Sequence, residues 1–242
     1  MKHALFGSQR WRSKTISWSG TDSEERFKQH LENPDTAQQL KNLGFAEPNC
    51  ITYKYNSCGF RTDEFDNRPA GLALGCSFTE GTGLPLDASW PAQLSKLIGQ
   101  HIWNLGVHGS ALDSAYNFLD HYIAELNIKF VVLCVPPINR FEFFSKNTPK
   151  RIVASRPESH DIYGSFFKEW FSTEQNSLTN RSKNLLAMEQ LCRNYNVPFY
   201  YLLAEEYLPN DQLARDLSHA GVDKNRDFAL KMYNKITKRE SP

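Results

Sequence analysis

A serine, an aspartate and a histidine in this chain are spaced so that they could form a nucleophile with its base. Ser77 follows the apolar run at residues 71–75, which predicts a buried strand. A side chain just beyond the carboxyl end of a parallel strand projects into the crevice where α/β proteins bind ligands. A serine hydroxyl needs a neighbouring base before it can attack a carbonyl carbon. His219 can supply that base, and Asp216, three residues earlier, can orient its imidazole.

Each of these signals is weak alone. Chance supplies an Asp-x-x-His pattern in about a third of chains with this many histidines, and most Gly-x-Ser loops only turn the chain. The order of the residues and the strand before Ser77 make the combination less accidental. We therefore predict nucleophilic catalysis by Ser77.

The sequence lacks the motifs of several other chemistries, first in the loop that carries Ser77. Residues 75–83 (GCSFTEGTG) lack the Gly-Lys-Ser/Thr ending of a phosphate-binding loop and the third glycine of a dinucleotide fingerprint. Thr79 occupies the place of the second glycine in the hydrolase pattern G-x-S-x-G. No His-Glu-x-x-His is present, and the five cysteines form no C-x-x-C pair. The sequence predicts neither a metal site nor a cofactor.

Composition predicts a globular protein of ordinary charge. The 242 residues are 40% hydrophobic and 23% charged, with a formal net charge of +1. This balance argues against a strongly electrostatic nucleic-acid binder. No apolar run reaches the ~18–20 residues that span a bilayer, and the first residues do not resemble a signal peptide. We expect a cytoplasmic protein that does not bind membranes, and its oligomeric state stays open.

The elements that must position these residues form repeated strand–helix units, typical of a parallel sheet covered on both faces. We predict a three-layer α/β/α fold with a parallel sheet of about five strands. Strands are predicted at 51–55, 71–75, 101–105, 129–135 and 199–203, and helices at 89–99, 110–126, 178–195 and 224–236. Residues 1–49 are predicted to be a helical extension in which Thr21 or Asp22 caps the first helix. Residues 50–242 form the main domain, with an aromatic insertion at about 140–178.

Four blocks of the sequence resemble the SGNH, or GDSL-type, serine hydrolases. The first is Gly75-Cys76-Ser77, and the second runs from Asn104 to Gly109. The third offers Asn139 after the strand at 129–135, and the fourth is Asp216-x-x-His219. Residues 56–61 (NSCGFR) are similar to a lead-in found in one branch of the family. The resemblance covers roughly residues 50–236.

The resemblance implies a flavodoxin-like fold, no cofactor and cleavage of an ester through an acyl-enzyme. Ser77 would attack, His219 would transfer the proton and Asp216 would orient His219. The N–H groups of Ser77 and Gly109 and the amide of Asn139 would form the oxyanion hole. The family's usual substrates imply short acyl esters, including O-acetyl groups on carbohydrates.

Two blocks depart from the family pattern. Cys76 replaces an aspartate that braces the turn in the family, and we predict that the Cys76 thiol faces the core and is structural. The third block reads Pro-Pro-Ile-Asn-Arg, which makes Asn139 the least secure member of the predicted site.

Other interpretations remain open at the level of sequence. His108, Arg140 and Phe141 are weaker candidates for substrate contacts, and aromatic residues in an insertion more often form a local core. The same blocks are compatible with a catalytically weak or inactive binding module, such as a component of a larger particle like a virion. They are equally compatible with an O-acyltransferase that uses the same triad.

Overall fold

The computed structural model describes residues 7–144, 151–154, 163–207 and 212–238. Its strands are β1 (Thr15–Ile16), β2 (Tyr53–Lys54), β3 (Ala70–Leu74), β4 (Ile102–Asn104), β5 (Ile128–Val135), β6 (Phe141–Phe144), β7 (Arg151–Ala154) and β8 (Phe199–Leu203). Its α-helices are α1 (Glu24–Glu32), α2 (Pro34–Asn42), α3 (Ser77–Glu80), α4 (Trp90–Ile98), α5 (Leu112–Glu125), α6 (Gly164–Trp170), α7 (Glu174–Asn194) and α8 (Val222–Thr237).

The central sheet is parallel, with strand order β4-β3-β5-β8. Strand β5 is buried along nearly its whole length, as its continuous apolar sequence predicts. Helices α4 and α8 pack on one face of the sheet, where Trp90 and Phe228 meet Val132. Helices α5 and α7 pack on the other face, around Phe118 and Met188. The predicted three-layer α/β/α architecture is confirmed.

The sheet has four strands among the described residues, where the sequence predicts about five. The predicted strand at 51–55 contributes β2, which pairs antiparallel with β1 outside the central sheet. Burial alternates along this segment, since Ile51, Tyr53 and Tyr55 are buried while Thr52 and Lys54 are exposed. Such alternation suits a strand covered on one face, whereas a central parallel strand is buried on both.

Residues 7–50 pack against the main domain. Phe27, Leu40 and Phe45 share an apolar cluster with Leu84 and Ala214, which belong to the loops around the predicted site. The predicted caps of α1 are engaged elsewhere, because Ser23 is the N-cap and accepts a hydrogen bond from the N–H of Arg26. The domain boundary at residue 49 stays a prediction.

The described part of the aromatic insertion forms a small cluster of its own. Strands β6 and β7 pair antiparallel, and α6 packs beside β6. Phe167 is fully buried and the ring of Phe141 stacks on Trp170 at 4.4 Å between centroids. The local core that such residues favour is therefore present. No helix in the described ranges is both long and apolar enough to cross a membrane.

Candidate active site

Ser77 is the first residue of α3. It lies two residues after Gly75, which directly follows β3. Gly75 has φ +146, and a Cβ there would come within 2.2 Å of the Thr79 hydroxyl, so the turn requires glycine. Cys76 is the N-cap of α3 and is fully buried, as predicted. The sharp turn places the Ser77 side chain at the carboxyl edge of the sheet, and Ser77 is 2% exposed.

His219 and Asp216 meet Ser77 in a continuous chain of hydrogen bonds. The Nε2 atom of His219 lies 2.7 Å from the Oγ of Ser77, and its Nδ1 lies 2.6 Å from Oδ2 of Asp216. The other carboxylate oxygen of Asp216 accepts the backbone N–H groups of Ser218 and His219 at 3.2 and 3.0 Å. The structure therefore brings together the three residues that the sequence singled out, in the order Ser77, His219, Asp216.

Asp216 is held as a carboxylate. Its burial acts to raise its pKa, but the hydrogen bond from His219, the charge of His219 and the hydrogen bond from Thr21 outweigh burial and bring the pKa well below its usual value. An ionised acid beside Nδ1 favours the tautomer in which Nε2 is free to accept the serine proton.

The second block joins the nucleophile loop to the next strand. The side-chain amide of Asn104 donates to the carbonyl of Thr79 at 2.8 Å, and its oxygen accepts the N–H of Gly106 at 2.9 Å. A Cβ on Gly106 would lie 2.3 Å from the backbone nitrogen of Glu80, so the two loops touch through glycine. Asn104 acts here as a brace for α3.

The predicted oxyanion-hole residues lie in three different loops. Ser77 offers its N–H at the first turn of α3, and Gly109 has φ +71 with open space where a Cβ would stand. Asn139 lies in the turn after β5 and its side chain is exposed. The role of all three in binding an oxyanion stays a prediction.

The structure places the three weaker candidates for substrate contact in different surroundings. His108 lies next to the triad, with its ring centroid 6.3 Å from that of His219. Arg140 lies beside the second-block loop, with Nη1 3.4 Å from the carbonyl of Ser110. Phe141 is enclosed in the aromatic cluster and only 5% exposed, which leaves little of its ring for a substrate.

His108 is a half-buried imidazole whose Nδ1 atom is buried. Its Nδ1 has no hydrogen-bond partner among the described residues. Burial lowers the pKa of His108, the carboxylate of Glu80 opposes that shift, and the charge of His219 adds to it. The lowered pKa favours the neutral form of the His108 imidazole beside His219.

Sequence reasoning missed the arginine that shapes the nucleophile loop. Arg61, at the end of the NSCGFR segment, is fully buried and donates to the carbonyls of Thr52, Gly81 and Leu84 at 2.7 to 2.9 Å. Burial lowers the pKa of Arg61, and nearby Glu80 opposes that shift. A buried guanidinium that binds several carbonyls fixes the chain just after α3.

Sequence reasoning also did not identify two hydroxyl groups that donate hydrogen bonds to the Asp216 carboxylate. Thr21 donates to Oδ2 at 2.6 Å and Ser218 donates to the same atom at 2.7 Å. Ser218 stands inside the Asp-x-x-His block and could have been noticed there, whereas Thr21 lies 195 residues earlier in the chain. Nothing in its local sequence signals this contact.

No group of three or more His, Cys, Asp or Glu side chains suited to a metal ion occurs in the described part of the chain. The chain matches no protein-family model, and no curated protein matches it in sequence.

Several solved structures are similar to the chain. One, described as a lipolytic protein of the G-D-S-L family from Desulfitobacterium hafniense DCB-2, is 19% identical over 70% of this chain and 73% of its own, with a TM-score of 0.37. An acetyl xylan esterase from Butyrivibrio proteoclasticus is 10% identical, covering 74% of this chain and 66% of its own, with a TM-score of 0.41. The SGNH-hydrolase family esterase AlinE4 is 14% identical, covering 74% of this chain and all of its own, with a TM-score of 0.30.

Proposed function

We propose that the chain is a serine hydrolase of the SGNH type that cleaves an ester through an acyl-enzyme. The observation that carries this proposal is the hydrogen-bonded chain Ser77–His219–Asp216, with contacts of 2.7 and 2.6 Å. These distances are within the range needed for direct proton transfer between a nucleophile and its base. The first and fourth blocks of the SGNH resemblance supply these three residues, and Asn104 of the second block donates to the carbonyl of Thr79 behind Ser77.

The reaction follows from the positions of the donors and acceptors. Oγ of Ser77 attacks the ester carbonyl carbon while Nε2 of His219 takes its proton, and the carbonyl π electrons move onto oxygen. The N–H groups of Ser77 and Gly109, with the amide of Asn139, hold that oxyanion; one such donor is worth about 3 kcal/mol of barrier. His219 then gives its proton to the departing alcohol. Water then attacks the carbonyl carbon of the acyl-enzyme while Nε2 of His219 takes its proton. The bond from carbon to Oγ breaks, His219 returns the proton to Oγ, and the carboxylic acid leaves with Ser77 regenerated.

A groove of about 400 Å³ beside His108 suits the alcohol portion of the ester. Arg10 and Trp11 form one wall, with the Arg10 guanidinium 4.3 Å from the Trp11 ring centroid. Gly20, Glu80 and His108 form the wall nearest the triad. Its mixed polar and aromatic lining favours a polar alcohol such as a carbohydrate with a short O-acyl group.

The test is covalent labelling and turnover. A fluorophosphonate probe should label wild type at Ser77, identified by mass spectrometry of the modified peptide, and p-nitrophenyl acetate should be hydrolysed. Ser77→Ala should abolish both, whereas Ser182→Ala, at an exposed serine on α7, should change neither. A folded wild type that neither labels nor turns over would support the binding module instead. Acyl transfer to added alcohols in preference to water would indicate an acyltransferase.

A further inference from the structure

The turn at residues 19–22 reaches the catalytic acid from the opposite end of the chain. Two adjacent residues in this turn bind two adjacent residues in the Asp-x-x-His loop. Thr21 donates its hydroxyl to Asp216 at 2.6 Å, and Asp22 forms a two-armed ion pair with Arg215 at 2.8 and 2.6 Å. The pairing fixes the register of one segment on the other.

The backbone on both sides of Thr21 is fixed. Ser19 and Asp22 exchange backbone hydrogen bonds at 2.9 and 3.1 Å, which closes the turn. Gly20 has φ +62 and lies against the His108 ring, where a Cβ would come within 2.3 Å. Thr21 therefore has little freedom to point elsewhere.

The Asp216 carboxylate depends on such donors because it is 2% exposed. A buried anion without water needs hydrogen bonds to stay ionised and to keep its orientation. Its Oδ2 atom, which faces Nδ1 of His219, also accepts the hydroxyls of Thr21 and Ser218. Those two contacts resist rotation of the carboxylate away from the imidazole.

We propose that Thr21 is a positioning residue for catalysis, whose hydroxyl holds Oδ2 of Asp216 against His219. This inference rests on the proposed serine-hydrolase function. The segment before the family-like region thereby completes the active site, and the site is incomplete in a chain that lacks residues 19–22.

The experiment compares three variants in the full-length chain with p-nitrophenyl acetate as substrate. Thr21→Val removes the hydroxyl and keeps the shape, so kcat should fall about tenfold or more while KM changes less than about twofold. Thr21→Ser keeps a hydroxyl and should restore kcat to within about threefold of wild type. Ser23→Ala, the matched control, removes the α1 cap two residues away; it should lower Tm and leave kcat unchanged.

Three results would overturn the inference. One is a Thr21→Val enzyme with kcat within about twofold of wild type while Ser77→Ala is inactive. Another is a Thr21→Ser enzyme as slow as Thr21→Val, since the side-chain shape rather than the hydroxyl would then matter. The third is a Ser23→Ala enzyme that loses as much kcat as Thr21→Val, which would indicate a purely structural effect. If Thr21→Val does not fold, Thr21→Ala is judged by the same thresholds. Activity that survives Ser77→Ala would refute the proposed function itself, a different outcome.

Discussion

The hydroxyl of Ser77 and the imidazole of His219 share one hydrogen bond. We therefore expect that loss of either group removes nearly all of the catalytic activity that the two provide together. Ser77→Ala and His219→Ala should each lower kcat by several orders of magnitude, and the double variant should be barely slower than either single one. Asp216→Ala should be milder, about 10²- to 10⁴-fold, because a misoriented imidazole keeps some basicity. Steady-state kinetics of the four variants test this, and additive losses would show that the residues are not a catalytic unit.

Asp216 should also make stability depend on acid pH. Its folded-state pKa lies below the unfolded value near 4, so it contributes stability that is present above about pH 4 and is lost as pH falls further. The unfolding free energy of wild type should therefore exceed that of Asp216→Asn at pH 6, and the difference should shrink as pH falls below about 4. Urea denaturation at several pH values measures the difference, and a gap that widens in acid would contradict the assignment.

At the scale of elements, the groove wall supplied by residues 10–11 should affect binding rather than chemistry. Trp11 lines the groove, whereas Ser77 and His219 do not. Trp11→Ala should raise KM for an acetylated sugar several-fold and change KM for p-nitrophenyl acetate by less than about twofold. Equal effects on both substrates would place the alcohol elsewhere.

The aromatic insertion is a second element with its own core. Phe167 is fully buried among Phe141, Phe143 and Tyr163, and a Phe→Ala change at such a site costs ~3–5 kcal/mol. Because this cluster is separate from the sheet core, Phe167→Ala should open the insertion locally. Limited proteolysis should then cut within residues 140–172 while hydrolysis of p-nitrophenyl acetate stays within about threefold of wild type. Loss of global folding would instead show that the insertion supports the whole domain.

At the scale of the whole molecule, a buried ion pair joins the N-terminal segment to the loop that carries Asp216 and His219. Arg215 and Asp22 are almost fully buried, Tyr53 donates to Asp22 at 2.6 Å, and the Arg215 guanidinium lies 4.0 Å from the Trp18 ring centroid. Breaking such a pair leaves an unpaired buried charge, so Asp22→Leu or Arg215→Met alone should cost about 3–5 kcal/mol.

The double variant separates charge from packing. Removing both charges should cost less than either single change, because no ion is then left without a partner. Unfolding free energies from urea denaturation complete this double-mutant cycle. A double variant whose loss equals the sum of the single losses would mean that the two side chains are not coupled.

Much of the fold was readable from the sequence. The apolar runs at 71–75, 129–135 and 199–203 predicted three strands of the central sheet, and their alternation with helices predicted the layers. The Asp-x-x-His block and Ser77 were likewise visible as residue types in a meaningful order. These features are local, since burial periodicity and turn chemistry are determined by residues a few positions apart.

The tertiary structure alone decided which distant groups complete the site. Thr21 or Asp22 was predicted to cap α1, yet Thr21 binds Asp216, Asp22 binds Arg215, and Ser23 is the cap. The segment at 51–55 has the alternation of a strand, as predicted. It pairs with β1, however, and lies outside the central sheet. Local sequence states which residues prefer a strand, a cap or a buried face. It does not state which of several satisfactory partners the packed chain brings within 3 Å, because that choice depends on how the whole core closes.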